Sequence, residues 1–379
     1  MRDTSGAPPG LHRDLPLAPY TTLGVGGAAK YWLAPTSVTA AREACAWAHA
    51  QALPLFILGQ GSNLVVCDDG FSGLVLHPAF AGISTCGQED RDTLVVAEAG
   101  VDWDGLVAWS VEQALGGLET LSGIPGQVGA APVQNIGAYG NEVGERIAWV
   151  EALDLQRGTM TTLAHDACGF SYRSSHFKGP WAGRYLITRV ALRLPPAAPL
   201  RPHYAELGAT LGAGDHQPEV VREAVLGIRR RKAMLHDPHD PNSRSAGSFF
   251  TNPIIDQVTA DEILARSQPA PPTLHRTPDG RWKISAAWLI EQAGFHRGHQ
   301  HGRAGLSGRH CLALINRGEA TACEILDLAR QIRQAVRDIF AVDLTPEPVW
   351  LDQHGAGPMP LDDNPTRGVC DGRIEGQRR

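Results

Sequence analysis

The sequence predicts an α+β fold. Apolar runs of strand character recur through the first half of the chain, helical patterns lie between and after them, and no sustained strand–helix–strand rhythm joins them into one parallel sheet. At 379 residues the chain is long enough for two or three packed domains. Its 43% hydrophobic and 20% charged content is that of a globular protein.

In order, residues 1–18 read as a loose arm. "TTLGVGGAAKYWLAP" turns strand-like, alternating from Tyr31 to Leu33. "SVTAAREACAWAHAQA" (37–52) predicts a helix with Ser37 as N-cap, a short side chain whose oxygen can accept from a free first-turn N–H. "LPLFILG" predicts a buried strand that runs into "QGSNLVV", and "DTLVVAEAG" predicts another. "VDWDGLVAWSVEQALGG" reads as a helix that begins near Asp102 and stops at Gly116–Gly117. "IAWVEALDL" and "RYLITRVALRLP" are strands, the latter alternating cleanly. The Pro-rich 195–202 marks a domain boundary. Beyond it, "PEVVREAVLGIRRRK" and "ISAAWLIEQAG" predict helices, and "HCLALIN" a short buried strand. The strongest helix is "TACEILDLARQIRQAVRDIF": Thr321 and Glu324 form a capping box, and Ile325, Leu328, Ile332, Val336 and Phe340 follow at helical spacing. After Leu351 the composition turns to Gly, Pro, Asp and Arg, so 352–379 reads as a disordered tail.

Composition also narrows function. A net charge of −6 argues against general nucleic-acid binding. No apolar run approaches the roughly 18 residues of a membrane span, and the first twenty residues carry prolines and charges where a signal peptide needs an apolar core. Seven scattered cysteines without a C-x-x-C pair fit free thiols in a reducing compartment. The expectation is a cytoplasmic protein, a monomer or weak oligomer, with neither nucleic acid nor membrane as partner.

Two glycine loops carry the functional signal. "GVGGAA" (24–29) matches a dinucleotide fingerprint only superficially, because it follows no buried strand and precedes no helix. "GQGSN" (59–63) is delivered by an apolar strand, and its glycines permit a backbone that aims several N–H groups at one anion, although a simple hairpin turn would look the same. Residues 122–141, "SGIPGQVGAAPVQNIGAYGN", form no regular element and carry no charge. A long irregular stretch this apolar is functional rather than disordered. Its Gly, Ala and Pro leave a smooth surface for a flat ring system, with Gln134 and Asn135 placed to meet the polar edge. The two loops together suggest a bound dinucleotide.

"GQGSNLVV", "SGIPGQVGAAPVQNIGAYGNEV", "YRSSHFK", "AGSFFTNP", "AAWLIEQAG" and "LTPEPVWL" occur in the order seen in the UDP-N-acetylenolpyruvoylglucosamine reductases, and the chain resembles that flavoenzyme family over about residues 17–351. The resemblance implies an FAD-binding region of the vanillyl-alcohol-oxidase type in two subdomains (about 19–79 and 80–197), a substrate-binding domain over 198–351, non-covalent FAD, and NADPH as hydride donor. It places the cofactor on Gly59, Gln60, Gly61, Ser62, Asn63 and Leu64 of the first loop. On the second it implies Ile124, Pro125, Gly126, Gly129, Ala130, Gln134, Asn135, Gly137 and Ala138.

The substrate implied is UDP-N-acetylglucosamine enolpyruvate, an enol ether bearing a carboxylate. Hydride addition to its terminal carbon builds an enediolate, which must be stabilised and then protonated in a site shut off from water. Arg173 in "SYRSSHFK" matches the family's carboxylate-stabilising arginine, and a guanidinium fork suits a carboxylate. Glu347, restrained between two prolines, matches a glutamate that supports the enediolate and must stay protonated to do so. Ser248 matches the proton donor. Its hydroxyl is a weak acid, but an enediolate carbon is basic enough to take the proton, and Phe249 and Phe250 are placed to keep the pocket dry. Lys232 aligns with a diphosphate-binding lysine, an assignment that could slip to Arg231 or Arg244. Tyr204 matches a lid tyrosine, and Asn252 and Gln300 match polar substrate contacts. Without the resemblance, each of these reads as an ordinary surface or turn residue. His296, His299, His301 and His310 lie in a Gly-rich loop without clustered carboxylates, so no metal is expected. The rival readings are a flavin-dependent oxidase on the same scaffold and a non-catalytic flavin- or nucleotide-sugar-binding protein.

Overall fold

The computed structural model describes residues 6–267 and 271–362. They pack as two compact units. The first takes the chain up to Leu15, Ala29–Gly61 and Ser72–His236; the second takes Pro16–Ala28, Ser62–Phe71 and the chain from Asp237 on. The Pro-rich 195–202 therefore falls inside the first unit, and the long division comes at His236/Asp237. The reason is apolar: Leu207, Val221, Val225 and Ile228, all beyond the proline stretch, form one cluster with Leu200 and Tyr139.

The first unit holds two main sheets. One has the spatial order His12–Pro16, Ala28–Leu33, Phe71–Leu76, Leu55–Ile57. Part of the supposedly loose arm is thus a strand, and Leu55–Ile57 is only half-buried rather than buried. Helix α1 (Val38–Ala50) presses Ala44, Trp47 and Ala48 onto Tyr31, Leu33, Leu74 and Leu76, and Ser37 Oγ accepts from Ala40 N–H at 3.1 Å. The other sheet is antiparallel, ordered Thr159–Ala164, Ile147–Asp154, Tyr185–Leu194, Asp92–Glu98, Ile83–Glu89. Tyr185–Leu194 does not alternate as expected. It is the central strand, and most of its residues on both faces are buried. Helix α2 (Trp103–Glu112) starts at Asp102, whose Oδ2 accepts from Gly105 N–H at 2.8 Å. Helices α3 (Ala205–Leu211) and α4 (Pro218–Arg231) complete the unit.

The second unit gathers three small three-stranded sheets around helices α5 (Gln257–Arg266), α6 (Ala286–Gln292) and α7 (Ala322–Phe340). The capping box of α7 forms as expected. Ile325, Leu328, Ile332 and Val336 are fully buried, each worth about 1.5–3 kcal/mol of hydrophobic stabilisation. From outside the helix, the Asp68 carboxylate accepts from Ala322 and Cys323 N–H at 2.8 and 3.1 Å. Val349–Asp352 pairs in parallel with Leu64–Val66 and antiparallel with Gly355–Gly357. Strand structure therefore continues past Leu351, and residues 363–379 of the expected tail lie outside the described residues. Of "HCLALIN" only Leu314–Asn316 is strand. Cys45, Cys67, Cys86, Cys168 and Cys311 are free thiols, whereas Cys323 is disulfide-bonded, against expectation. Among the described residues no helix is long and apolar enough to cross a membrane, and no cluster of ligands could hold a metal.

Candidate active site

In the first unit, Gly59, Gln60 and Gly61 follow Leu55–Ile57. Gln60 Nε2 donates to Asp102 Oδ1 at 2.7 Å, which ties this loop to the start of α2. A Cβ on Gly59 would stand 3.4 Å from the Ala130 methyl, so the two glycine loops are neighbours. The second loop is irregular yet fixed: Val128, Ala131 and Ile136 are buried in the unit's core. Its Gly126 carbonyl accepts from Trp103 N–H, and its Val128 and Gly129 N–H groups donate to Val101 and Ala99 carbonyls, all at 2.9 Å. A Cβ at Gly129 would lie 2.6 Å from the Ala99 Cβ, an approach that only glycine allows. Ile124, Pro125, Gly126, Gly129, Gln134, Gly137 and Ala138 stay partly exposed, and Ala130 is exposed.

Asn135 departs from expectation. It is buried with φ 47°, and its amide is spent within the unit: Nδ2 donates to Glu142 Oε2 at 2.6 Å and to Ser171 O at 3.0 Å, and Oδ1 accepts from Gly144 N–H at 2.8 Å. With both N–H groups committed, its side chain braces the loop instead of donating to a ring edge.

Arg173 stands in a two-residue turn closed by reciprocal Ser171–Ser174 backbone hydrogen bonds of 3.0 and 2.9 Å. Its φ is 53°, a left-handed conformation unfavourable for arginine. Arg173 Nη2 donates to Gly137 O at 2.7 Å, so the guanidinium lies on the second glycine loop. Tyr204 precedes α3 and packs edge-on against Tyr139, ring centroids 5.5 Å apart. Burial pushes the Tyr139 phenol up to about 12, and burial with the nearby Glu206 raises Tyr204 as well. Lys232 terminates α4 and pairs with Glu206 Oε2 at 2.6 Å.

Sequence reasoning missed a cluster beside these residues. Arg222 and Arg229, seven apart on α4, reach Asp104 of α2 and Gly123 at the start of the second loop. The 3.6-residue helical repeat puts both arginines on one face, a signal present in "REAVLGIR".

In the second unit, Ser62, Asn63 and Leu64 lead into the strand Leu64–Val66. Asn63 Nδ2 donates to Glu347 O at 3.3 Å, and Asn63 O accepts from Val349 N–H at 3.0 Å. The Glu347 segment is held on its other side by "SFFT": Glu347 N–H donates to Phe249 O at 2.9 Å, and Thr251 N–H to Thr345 O at 3.0 Å. Phe249 and Phe250 are core residues, packed edge-on with centroids 5.2 Å apart. Ser248 and Glu347 are thereby set on adjacent backbone segments, both partly exposed. The phenylalanines anchor Ser248; they do not by themselves bury it. Asn252 Oδ1 accepts from Ala286 N–H, the first of α6, at 2.9 Å, beside the Ser285 cap. Gln300 is exposed in a two-residue strand.

The residues present fit a flavin dinucleotide. The two glycine loops present small residues side by side, and 122–141 contains no charged residue to oppose a ring system. Residues 29–164 match the model of an FAD binding domain. Residues 237–351 match the model described as UDP-N-acetylenolpyruvoylglucosamine reductase, C-terminal domain, a match that opens at the residue where the second unit's long stretch begins. The molecule is an FAD-containing oxidoreductase of α+β architecture. Reductases of that name from Thermobifida fusca and Saccharopolyspora erythraea are 43% and 46% identical, covering 89% of this chain in each case and 97% and 94% of the relative. The crystal structure of UDP-N-acetylenolpyruvylglucosamine reductase from Thermus caldophilus superposes with a TM-score of 0.59 at 27% identity, covering 90% of this chain and 98% of that one. The chain belongs to the UDP-N-acetylenolpyruvoylglucosamine reductase family.

Proposed function

We propose that the chain, acting in the cytoplasm, reduces the enolpyruvyl ether of UDP-N-acetylglucosamine to UDP-N-acetylmuramate for peptidoglycan synthesis, with Arg173, Ser248 and Glu347 as its catalytic residues. Bound FAD, reduced by NADPH, supplies the hydride. Arg173 holds the substrate carboxylate as charge develops on it, its guanidinium already oriented by the Gly137 carbonyl. Ser248 delivers the proton to the carbon next to that carboxylate. Glu347 donates a hydrogen bond to the enediolate. Lys232, released from Glu206, meets the diphosphate, while Tyr204, Asn252 and Gln300 contact the rest of the nucleotide sugar. Loop residues 59–64 and 124–138 bind the cofactor, Asn135 by bracing.

The observation that supports this reading is the main-chain hydrogen bond from Glu347 N–H to Phe249 O at 2.9 Å, which joins the segment bearing Glu347 to the segment bearing Ser248. An oxidase reading finds no comparable support, since the relatives are reductases over nearly their whole length. The test is Ser248→Ala. Turnover of the enolpyruvyl sugar should fall by about 10²–10⁴-fold, the usual contribution of a positioned acid. Anaerobic bleaching of the flavin by NADPH should persist, because it precedes protonation. Turnover at the wild-type rate would remove Ser248 from the mechanism.

A further inference from the structure

The mechanism leaves one charged assembly of the first unit without a task. Gly123, at φ 69°, opens the second glycine loop, and both of its backbone groups are held by side chains. Its N–H donates to Asp104 Oδ1 at 2.6 Å, and its carbonyl accepts from Arg229 Nε at 3.0 Å. Asp104 is in turn gripped by Arg222 through two hydrogen bonds of 2.6 and 2.9 Å. Arg229 Nη2 donates to Met234 O at 2.9 Å, so one guanidinium spans the loop and the turn after α4.

Arg229 differs from Arg222 of the same helix, which pairs with a carboxylate. Among the described residues no carboxylate pairs with it, and its hydrogen bonds go to main-chain carbonyls. Burial lowers its pKa and outweighs the interactions with Tyr139 and Asp104 that act to raise it, while the charge of Arg173 adds to the lowering. Keeping an arginine in such surroundings costs stability, a cost that geometry offsets, since only a planar fork can hold two carbonyls at fixed separation. Packing restricts Gly123 as well: a Cβ there would meet Leu235 at 2.5 Å and Leu226 at 2.9 Å. Among the described residues, no side chain holds Ile124, Pro125 or Gly126 by both backbone groups in this way.

We propose that Arg229 is a positioning residue for the flavin loop: with Asp104 it fixes both backbone groups of Gly123, and so sets where Ile124, Pro125 and Gly126 stand against the cofactor. This rests on the reading that residues 124–138 contact FAD. Misplacing a reacting partner by about 1 Å can cost 10²-fold in rate, so the clamp acts on turnover without touching substrate.

The experiment compares purified holoenzyme with Arg229→Met, which keeps length and loses every donor, and Arg229→Lys, which keeps charge and one bond. In R229M, kcat per bound flavin should fall about 10- to 100-fold, with KM for the enolpyruvyl sugar changed less than threefold and the visible flavin bands shifted. R229K should recover part of the rate. Unchanged flavin bands with kcat within twofold of wild type overturn the proposal. So does a lower melting temperature in both variants with kcat per bound flavin unchanged, which is what a merely structural arginine gives. Where R229M does not load FAD, R229K decides: full loading with lowered kcat supports the clamp, and wild-type kcat and spectrum overturn it. Ala130→Glu tests the underlying reading separately. Its side chain is exposed, so the fold should survive while FAD affinity drops, and unaltered affinity would move the flavin off this loop whatever Arg229 does.

Discussion

Glu347 donates its backbone N–H to the carbonyl of Phe249 at 2.9 Å, one residue along the chain from Ser248. The bond uses main-chain atoms only, and Asn63 holds the Glu347 carbonyl at 3.3 Å from the other side. Hydrogen bonds to main-chain atoms therefore hold the segment that presents the carboxyl.

Glu347→Gln leaves the main-chain bonds of this segment in place. Glutamine keeps a hydrogen-bond donor but loses the acid's stronger donation to an enediolate, so kcat should fall by about 10- to 100-fold with flavin reduction by NADPH intact. Steady-state kinetics alongside anaerobic NADPH titration measures both. A variant with wild-type kcat would leave Glu347 as a rim carboxylate.

Arg173 allows function and stability to be separated by one substitution. Its left-handed φ of 53° strains any residue with a Cβ by about 1–2 kcal/mol. Arg173→Gly relieves that strain while removing the 2.7 Å hydrogen bond to Gly137 O, which, coming from a charged group, is worth about 1.5–3 kcal/mol. The relieved strain should keep the fall in melting temperature small, while kcat/KM falls by at least about 10²-fold. Retained activity with a lowered melting temperature would mean that the arginine serves as a brace for the loop and nothing more.

Local signals explain what the sequence revealed. Ser37, Asp102 and the Thr321–Glu324 box announce their helices because a cap is a contact between near neighbours. Helix α5 escaped notice because only Ala260 and Ile263 of it are buried, too few to make a periodic stripe. The second unit's strands, mostly two to four residues long, are too short to alternate. The glycine loops could be read from composition, since they need small uncharged residues in any fold. Asn135 could not: its amide is claimed by Glu142, Gly144 and Ser171, and the last of these lies 36 residues away. The Asp104–Arg222 pair joins positions 118 apart, and nothing local to either residue names the other.

That pair also makes a pH-dependent prediction. Burial alone would raise the Asp104 carboxyl, but hydrogen bonds from Arg222 and Gly123 N–H, with the charges of Arg222 and Arg229, outweigh it and hold the group below the usual carboxylate range. The folded chain thus binds the Asp104 proton less tightly than the unfolded chain does. Its stabilisation is complete above the ordinary aspartate pKa of about 3.9 and is lost as pH falls through the depressed folded value. Asp104→Asn should therefore cost about 1–3 kcal/mol near pH 7, the scale of a hydrogen bond to a charged group. The gap between variant and wild type should shrink steadily once pH drops below about 4, as the wild-type carboxyl itself becomes neutral. Denaturant unfolding of both proteins across that range measures it, and a gap of constant size would show that Asp104 works through shape and not through charge.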